Sequence, residues 1–151
     1  VLLIADEPTS ALDVTTQAEI IRLFMRLKKK YALTTIFITH DLELARIVGD
    51  SVSVMYCGSI VEDGPSGEVV THPCHPYTRG LIASSKARIK RGEKAQFIPG
   101  YAPPLDERPQ GCSFHPRCSD RLEICSTEKP SLINLTGKTM VACHIFSNRE
   151  S

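Results

Sequence analysis

Two short apolar runs, Val1 to Ala5 and Leu33 to Thr39 (LTTIFIT), constrain this chain most, because a long amphipathic stretch holds them apart. Each run ends in polar residues and is rich in aliphatic or β-branched side chains, which suits strands buried on both faces of a parallel sheet. Between them Ile20, Leu23, Phe24 and Leu27 fall at i, i+3, i+4 and i+7, predicting an amphipathic helix of about four turns from Val14. Thr16 and Glu19 have the spacing of a capping box, and Lys28, Lys29 and Lys30 crowd the last turn, where cations suit the helix dipole. Strands separated by a helix run parallel through a right-handed crossover. Asp41 is placed to cap a second helix from Leu42 to about Val48, so the order strand, helix, strand, helix predicts an α/β fold.

The pattern then changes. Val52, Val54 and Tyr56 alternate with Ser53, Met55 and Cys57, and Gly58-Ser59 precedes Ile60, Val61 and Glu62, which reads as a hairpin with a Gly-X turn. Helices are expected around Gly67 to Thr71 and from Tyr77 to Ser85. After Lys86, Pro99, Pro103, Pro104 and Pro109 break the chain repeatedly and predict extended or looped backbone.

Charge separates the same two regions. The chain is nearly neutral, with 18 Lys+Arg against 17 Asp+Glu, which argues against a nucleic-acid partner. Residues 1–85 carry 7 basic and 10 acidic residues, whereas 86–151 carry 11 and 7, with four of the six Cys and six of the ten Pro. Two units are therefore expected, joined near Ser84 to Lys94, with the basic run Lys86 to Lys94 as a solvated linker. No apolar run is long enough to span a bilayer, and Val1 to Ala5 lacks the basic flank of a signal peptide, which predicts a cytosolic chain. A start on Val1 inside an apolar run predicts a piece of a longer protein.

Asp6 and Glu7 close the first predicted strand and His40 closes the second. The carboxyl edge of an open α/β sheet is where ligands bind, so the three converge on one crevice. A strand-end Asp suits Mg²⁺ beside phosphate oxygens, an adjacent Glu can orient and deprotonate water, and an imidazole can bond a terminal phosphate. Taken singly, each has a plainer role: solvated carboxylates, a satisfied strand-end histidine, and for Asp13 the cap of the helix from Val14.

In sequence order, V-L-L-I-A-D-E-P (1 to 8), S-A-L-D (10 to 13) and T-H-D (39 to 41) resemble the second half of an ATP-binding cassette (ABC) ATPase: Walker B, D-loop and switch histidine. The resemblance covers residues 1 to about 85 and implies a partial P-loop NTPase-type parallel sheet with flanking helices and a hairpin. It implies ATP and Mg²⁺ as cofactors, with Asp6 on the magnesium side, Glu7 as catalytic base, Asp13 reaching across a dimer interface and His40 sensing the γ-phosphate. The phosphate-cradling loop G-x-x-x-x-G-K-[ST] is missing. Gly137-Lys138-Thr139 supplies only its last letters, with Leu132 where the first glycine belongs. No glutamine loop and no LSGGQ-type signature occur, and in the family all of these precede Walker B. The stretch alone is expected to be inactive.

Cys112, Cys118, Cys125 and Cys143 lie in the Pro-broken region with His115 and His144 nearby. Such a segment lacks a core of its own, so a cross-link is expected. Disulfides are disfavoured in a reducing cytosol, zinc usually takes closer Cys pairs, and an iron-sulfur cluster accepts wider spacing. The run H-P-C-H-P-Y-T (72 to 78), then F-I-P-G-Y-A-P-P-L (97 to 105), then G-C-S-F-H-P-R-C…C…C-H (111 to 144) resembles the C-terminal extension of the ATPase subunits of oligopeptide, dipeptide and nickel importers. That resemblance implies a [4Fe-4S] cluster on the four cysteines, with Zn²⁺ the alternative. It further implies a second ATPase subunit, in a homo- or heterodimer, and membrane permease subunits as partners on the cytoplasmic face of the inner membrane. Cys57 is read as a half-buried strand thiol and Cys74 as part of a loop fixed by Pro73 and Pro76. Two rival readings are a metal-binding module on an α/β scaffold and a soluble ABC ATPase not attached to a transporter.

Overall fold

A computed structural model describes residues 1–87, 97–104, 106–135 and 137–147. Residues 88–94 of the basic run lie outside the described residues, as does Leu105 at the end of the F-I-P-G-Y-A-P-P-L motif. The chain is mixed α/β, with two sheets and flanking helices, and it divides into two compact units, Val1–Asp50 and Ser51–Ser151.

In the first unit β1 (Leu2–Asp6) and β2 (Thr34–Ile38) pair in parallel, in register from Leu2↔Thr34 to Asp6↔Ile38. The crossover is α1 (Val14–Lys30), and α2 (Leu42–Val48) follows β2. The expected capping box at Thr16 and Glu19 does not form. Asp13 is the cap: its Oδ1 accepts the N–H groups of Thr15 and Thr16, both at 3.0 Å, and its Oδ2 accepts the Thr16 hydroxyl at 2.6 Å. Asp41 caps α2 as expected, accepting from the N–H groups of Glu43 and Leu44. At the other end of α1, Lys28 bonds the Val48 carbonyl and Asp50, tying the helix to the end of α2.

The packing corrects two expectations. α1 carries two apolar stripes, and the one that packs inward is Ile21, Phe24 and Met25, against Phe37, Leu44 and Val48, with the Phe24 and Phe37 rings meeting edge-on. Ile20, Leu23 and Leu27, in the expected stripe, are exposed. Nor are the strands buried on both faces. Leu2, Ile4, Ile36 and Ile38 share one face by register, and Ile4 is 61% exposed. The core of this unit lies on the opposite, Phe37 face.

In the second unit β3 (Ser51–Tyr56) and β4 (Ser59–Pro65) form the predicted hairpin, with buried Val52, Val54 and Tyr56 alternating with exposed residues. Its turn is Cys57-Gly58, one residue earlier than expected. Both residues have positive φ, +45° and +70°, the signature of a two-residue type I′ turn whose twist matches the strands. Cys57 is thus a turn residue, and its thiol donates to the Pro103 carbonyl. α3 (Ser66–Thr71) and α4 (Pro76–Ala87) follow.

Beyond them the chain is less irregular than predicted. β5 (Ile133–Asn134) and β6 (Met140–Val141) join the hairpin in a four-stranded antiparallel sheet of order β3-β4-β6-β5. The compact division falls after Asp50, and β6 pairs with β4 within the second unit. Single 3₁₀ turns at His115–Arg117 and Glu123–Ser126, and a short α5 (His144–Ser147), complete this unit.

The H-P-Y motif has a clear structural logic. Glu62 of β4 is wholly buried, and its two oxygens accept the N–H groups of Cys74 and His75 at 2.8 and 2.9 Å, just ahead of α4. Pro76 then opens the helix, where a missing N–H costs nothing. Tyr77 packs on Tyr56 and Phe114, and His75 also meets Phe114. His75 is 1% exposed; burial, with the Arg79 charge adding, pushes its pKa down to about 4. Its Nδ1 accepts the Tyr77 N–H at 3.0 Å, a bond that requires the neutral ring.

Candidate functional site

The carboxyl ends of β1 and β2 are adjacent by register, and the Glu7 N–H extends the ladder by donating to the Ile38 carbonyl at 3.0 Å. One residue beyond β1 the chain turns sharply: Glu7 has φ +46°, in the left-handed region that non-glycine residues seldom occupy. The Glu7 carbonyl there accepts both the N–H and the hydroxyl of Ser10. This fixes a carboxylate at the strand edge facing the end of β2.

His40 completes the pair. Its Nδ1 stands 2.8 Å from Glu7 Oε1 and 2.9 Å from Oε2, so the ring addresses both oxygens of one carboxylate. A carboxylate only accepts, so Nδ1 carries the hydrogen and Nε2 is left facing away from Glu7. Asp6 precedes Glu7 at the end of β1, on the same strand face as Leu2 and Ile4. The geometry therefore joins Glu7 and His40 directly, with Asp6 one residue ahead of Glu7 in register with Ile38. Asp13 is engaged differently: the Thr16 hydroxyl, then the Thr16 and Thr15 N–H groups, hold its pKa below the usual carboxylate range, and both of its oxygens serve the helix cap.

Four of the second unit's six cysteines lie around its short C-terminal elements. Cys112 and Cys118 flank the turn His115–Arg117, Cys125 lies in the turn Glu123–Ser126, and Cys143 stands between β6 and α5. Gly111, at φ +69°, lets the chain cross the Cys125 carbonyl so closely that a Cβ there would stand 2.5 Å from it. The Cys112 N–H donates to that same carbonyl at 2.9 Å.

Burial pushes the Cys143 thiol up to about 11, and the charges that Cys112, Cys118 and Cys125 would carry push it the same way. Burial likewise raises Cys112, with Cys125 adding, and raises Cys118, with Asp120, Cys112 and Cys125 adding. Backbone N–H groups oppose this: Phe114 and His115 act on Cys112, Asp120 on Cys118 and Ile145 on Cys143, while the Leu122 N–H reaches Cys125 Sγ at 3.4 Å.

Among the described residues, no group of three or more His, Cys, Asp or Glu forms a set that could hold a metal ion. His115 and His144 are spent elsewhere, donating from their rings to the carbonyls of Cys112 and Glu128.

Sequence reading missed Arg117 and Glu62. Arg117 bonds the carbonyls of Ile98, Pro99 and Gly100 and the Tyr56 hydroxyl. A lone arginine between Pro116 and Cys118 gives no pattern to detect. Glu62 was visible only as a charge following Ile60 and Val61, with Asp63 next to it.

Residues 61–125 match the family described as the oligopeptide/dipeptide transporter, C-terminal region. The chain is 50% identical, over 97% of its length and 45% of the relative's, to the dipeptide transport ATP-binding protein DppD of Caldanaerobacter subterraneus. It is 41% identical to the oligopeptide transport ATP-binding protein AppD of Bacillus subtilis, over 96% of this chain and 44% of that one. To the dipeptide transport ATP-binding protein DppD of Haemophilus influenzae it is 40% identical, over 99% of this chain and 45% of that one. The chain thus spans less than half the length of these relatives. Over that stretch the chain is similar to these dipeptide and oligopeptide transport ATP-binding proteins, and its residues 61–125 to the C-terminal region of the oligopeptide/dipeptide transporter family.

Proposed function

We propose that this stretch belongs to an ATP-hydrolysing subunit that energises peptide import through a membrane permease, working with a second ATPase subunit on the cytoplasmic face of the membrane. The relatives' names favour peptides over nickel as cargo, and over the readings as a metal-binding module or a soluble ATPase. Among the described residues no helix is long and apolar enough to cross a membrane, which agrees with a peripheral subunit. In this reading residues 1–85 are the C-terminal part of the nucleotide-binding domain and 86–151 the extension.

The contact that carries the proposal is the one from His40 Nδ1 to both oxygens of Glu7. Glu7, held by a left-handed turn at the strand edge, orients a water and takes its proton. His40 fixes that carboxylate through Nδ1 and turns Nε2 toward the terminal phosphate. Asp6 is the carboxylate for Mg²⁺, whose charge neutralises the phosphate oxygens when bound. Asp13, which caps α1, is in this reading the residue that reaches across the dimer interface. The phosphate-binding loop must come from elsewhere in the protein, so the stretch by itself is inactive.

In a full-length chain, Glu7→Gln should lower kcat by roughly two to four orders of magnitude with nucleotide binding retained. Phosphate release near the wild-type rate would remove Glu7 from the chemistry.

We further propose that Cys112, Cys118, Cys125 and Cys143 hold a [4Fe-4S] cluster with a structural role. The Cys112 N–H bond to the Cys125 carbonyl at 2.9 Å and the Leu122 N–H reaching Cys125 Sγ at 3.4 Å support a shared site for these cysteines. Zinc at ~2.3 Å from each sulfur requires a tighter set than a polynuclear cluster does. Iron and sulfide assays on anaerobically purified full-length protein should find about four of each per chain; zinc alone, or no metal, would overturn the assignment.

A further inference from the structure

An apolar groove lies beside the turn of the β3–β4 hairpin. Met55 and Ile60 are cross-strand partners, 58% and 42% exposed, and with Leu132, 37% exposed, they line a groove of about 470 Å³. Walls that are mostly apolar, with a few polar groups to orient what enters, are the makings of a small-ligand site. Three large apolar side chains left open around one groove are also a surface that another molecule covers.

The charge on this groove has a single sign. Lys129 is the one charged residue among the described residues that line it, and none of them is acidic. Its Nζ donates to the Ser59 hydroxyl at 3.4 Å. One residue earlier in the hairpin, the Arg108 guanidinium stands over Gly58, where a Cβ would lie 2.9 Å from a terminal nitrogen. Lys28, Arg46 and Arg79 each pair with a carboxylate, whereas among the described residues neither Lys129 nor Arg108 does. Two cations without carboxylate partners therefore stand over consecutive residues, Gly58 and Ser59, that both line the groove.

Apolar walls beside such cations suit a ligand with an apolar group and an anionic end. A short peptide that ends in an aliphatic residue has both, and its amide groups find hydrogen-bonding partners in Ser59 and Ser113, which also line the groove. A fatty acid offers the apolar group and the carboxylate but no amide.

We infer that this groove binds the C-terminal end of a short peptide, with the last side chain among Met55, Ile60 and Leu132 and the carboxylate at Lys129 and Arg108. The choice of a peptide rests on the peptide-import reading, because import delivers such molecules to the side of the membrane where the ATPase works. The site thereby takes the product of transport as its ligand.

Isothermal titration calorimetry of the full-length protein without nucleotide, using the tripeptide alanyl-alanyl-leucine, tests this. Saturable one-to-one binding is expected, with the C-terminal amide of the same peptide about tenfold weaker because it lacks the charge that the cations meet. Lys129→Met and Arg108→Met should each weaken binding of the acid severalfold and leave the amide nearly unchanged, whereas Met55→Ser should weaken acid and amide alike. All three side chains are exposed, so the variants keep the core intact. No saturable binding, or wild-type affinity in the Lys129→Met, Arg108→Met double variant, would overturn the site. Octanoate binding as tightly as the tripeptide would overturn the peptide assignment. ATP hydrolysis by the same preparation separates this inference from the reading beneath it: an active ATPase that binds no tripeptide loses the groove alone, while a preparation that binds the tripeptide but hydrolyses no ATP loses the import reading and keeps the groove as a peptide site.

Discussion

At the scale of single residues, backbone conformation and burial carry information that residue type does not. Glu7 occupies a left-handed conformation that costs an ordinary side chain on the order of 1 kcal/mol or more. Of two variants that remove the carboxylate, Glu7→Gly should therefore be more stable than Glu7→Ala by about 1 kcal/mol in denaturant melts. Equal stabilities would mean that the turn relaxes. His75 makes a second prediction. Folded protein keeps the ring neutral down to about pH 4, whereas the unfolded chain takes up a proton near its ordinary value of 6.5. The unfolded state binds more protons in that window, so the stabilisation is complete above pH 6.5 and is lost as the pH falls toward 4, by about 3 kcal/mol in all. His75→Gln should flatten this part of the stability profile, as followed by thermal melts across the acid range.

At the scale of elements, hydrogen bonds at chain ends decide more than propensity does. Asp13→Ala should lower the melting temperature by removing all three bonds of the α1 cap, and Asp13→Ser should recover most of the loss. Glu62→Ala removes the acceptor of the Cys74 and His75 N–H groups and leaves the buried His75 N–H unpaired, a cost of about 1–3 kcal/mol; urea unfolding checks it, and no measurable loss would show that the start of α4 finds other partners. The long elements were legible because apolar periodicity over several residues is a strong signal, as Val14–Lys30 and the alternation of Ser51–Tyr56 illustrate. Period alone did not decide which of two apolar stripes on α1 faces the sheet. The hairpin turn slipped by one residue because Cys57 is not among the residues expected at positive φ. β5 and β6, two residues each, are too short to display any period. At the site, Asp6, Glu7 and His40 were legible as polar ends of apolar strands, but the strain at Glu7 left no trace. The Arg117 clasp joins positions 17 to 19 apart in a Pro-broken region, where no local pattern could announce it.

At the scale of the molecule, the two units differ: the second has a four-stranded sheet with buried side chains, while the first has one covered face. Leu2, Ile4, Ile36 and Ile38 leave the other face of β1 and β2 apolar and open. An apolar face of this kind, beside strand edges that are unpaired among the described residues, is a surface that another packing element would cover, and the pair of strands that positions Glu7 and His40 carries it on the side away from Phe37.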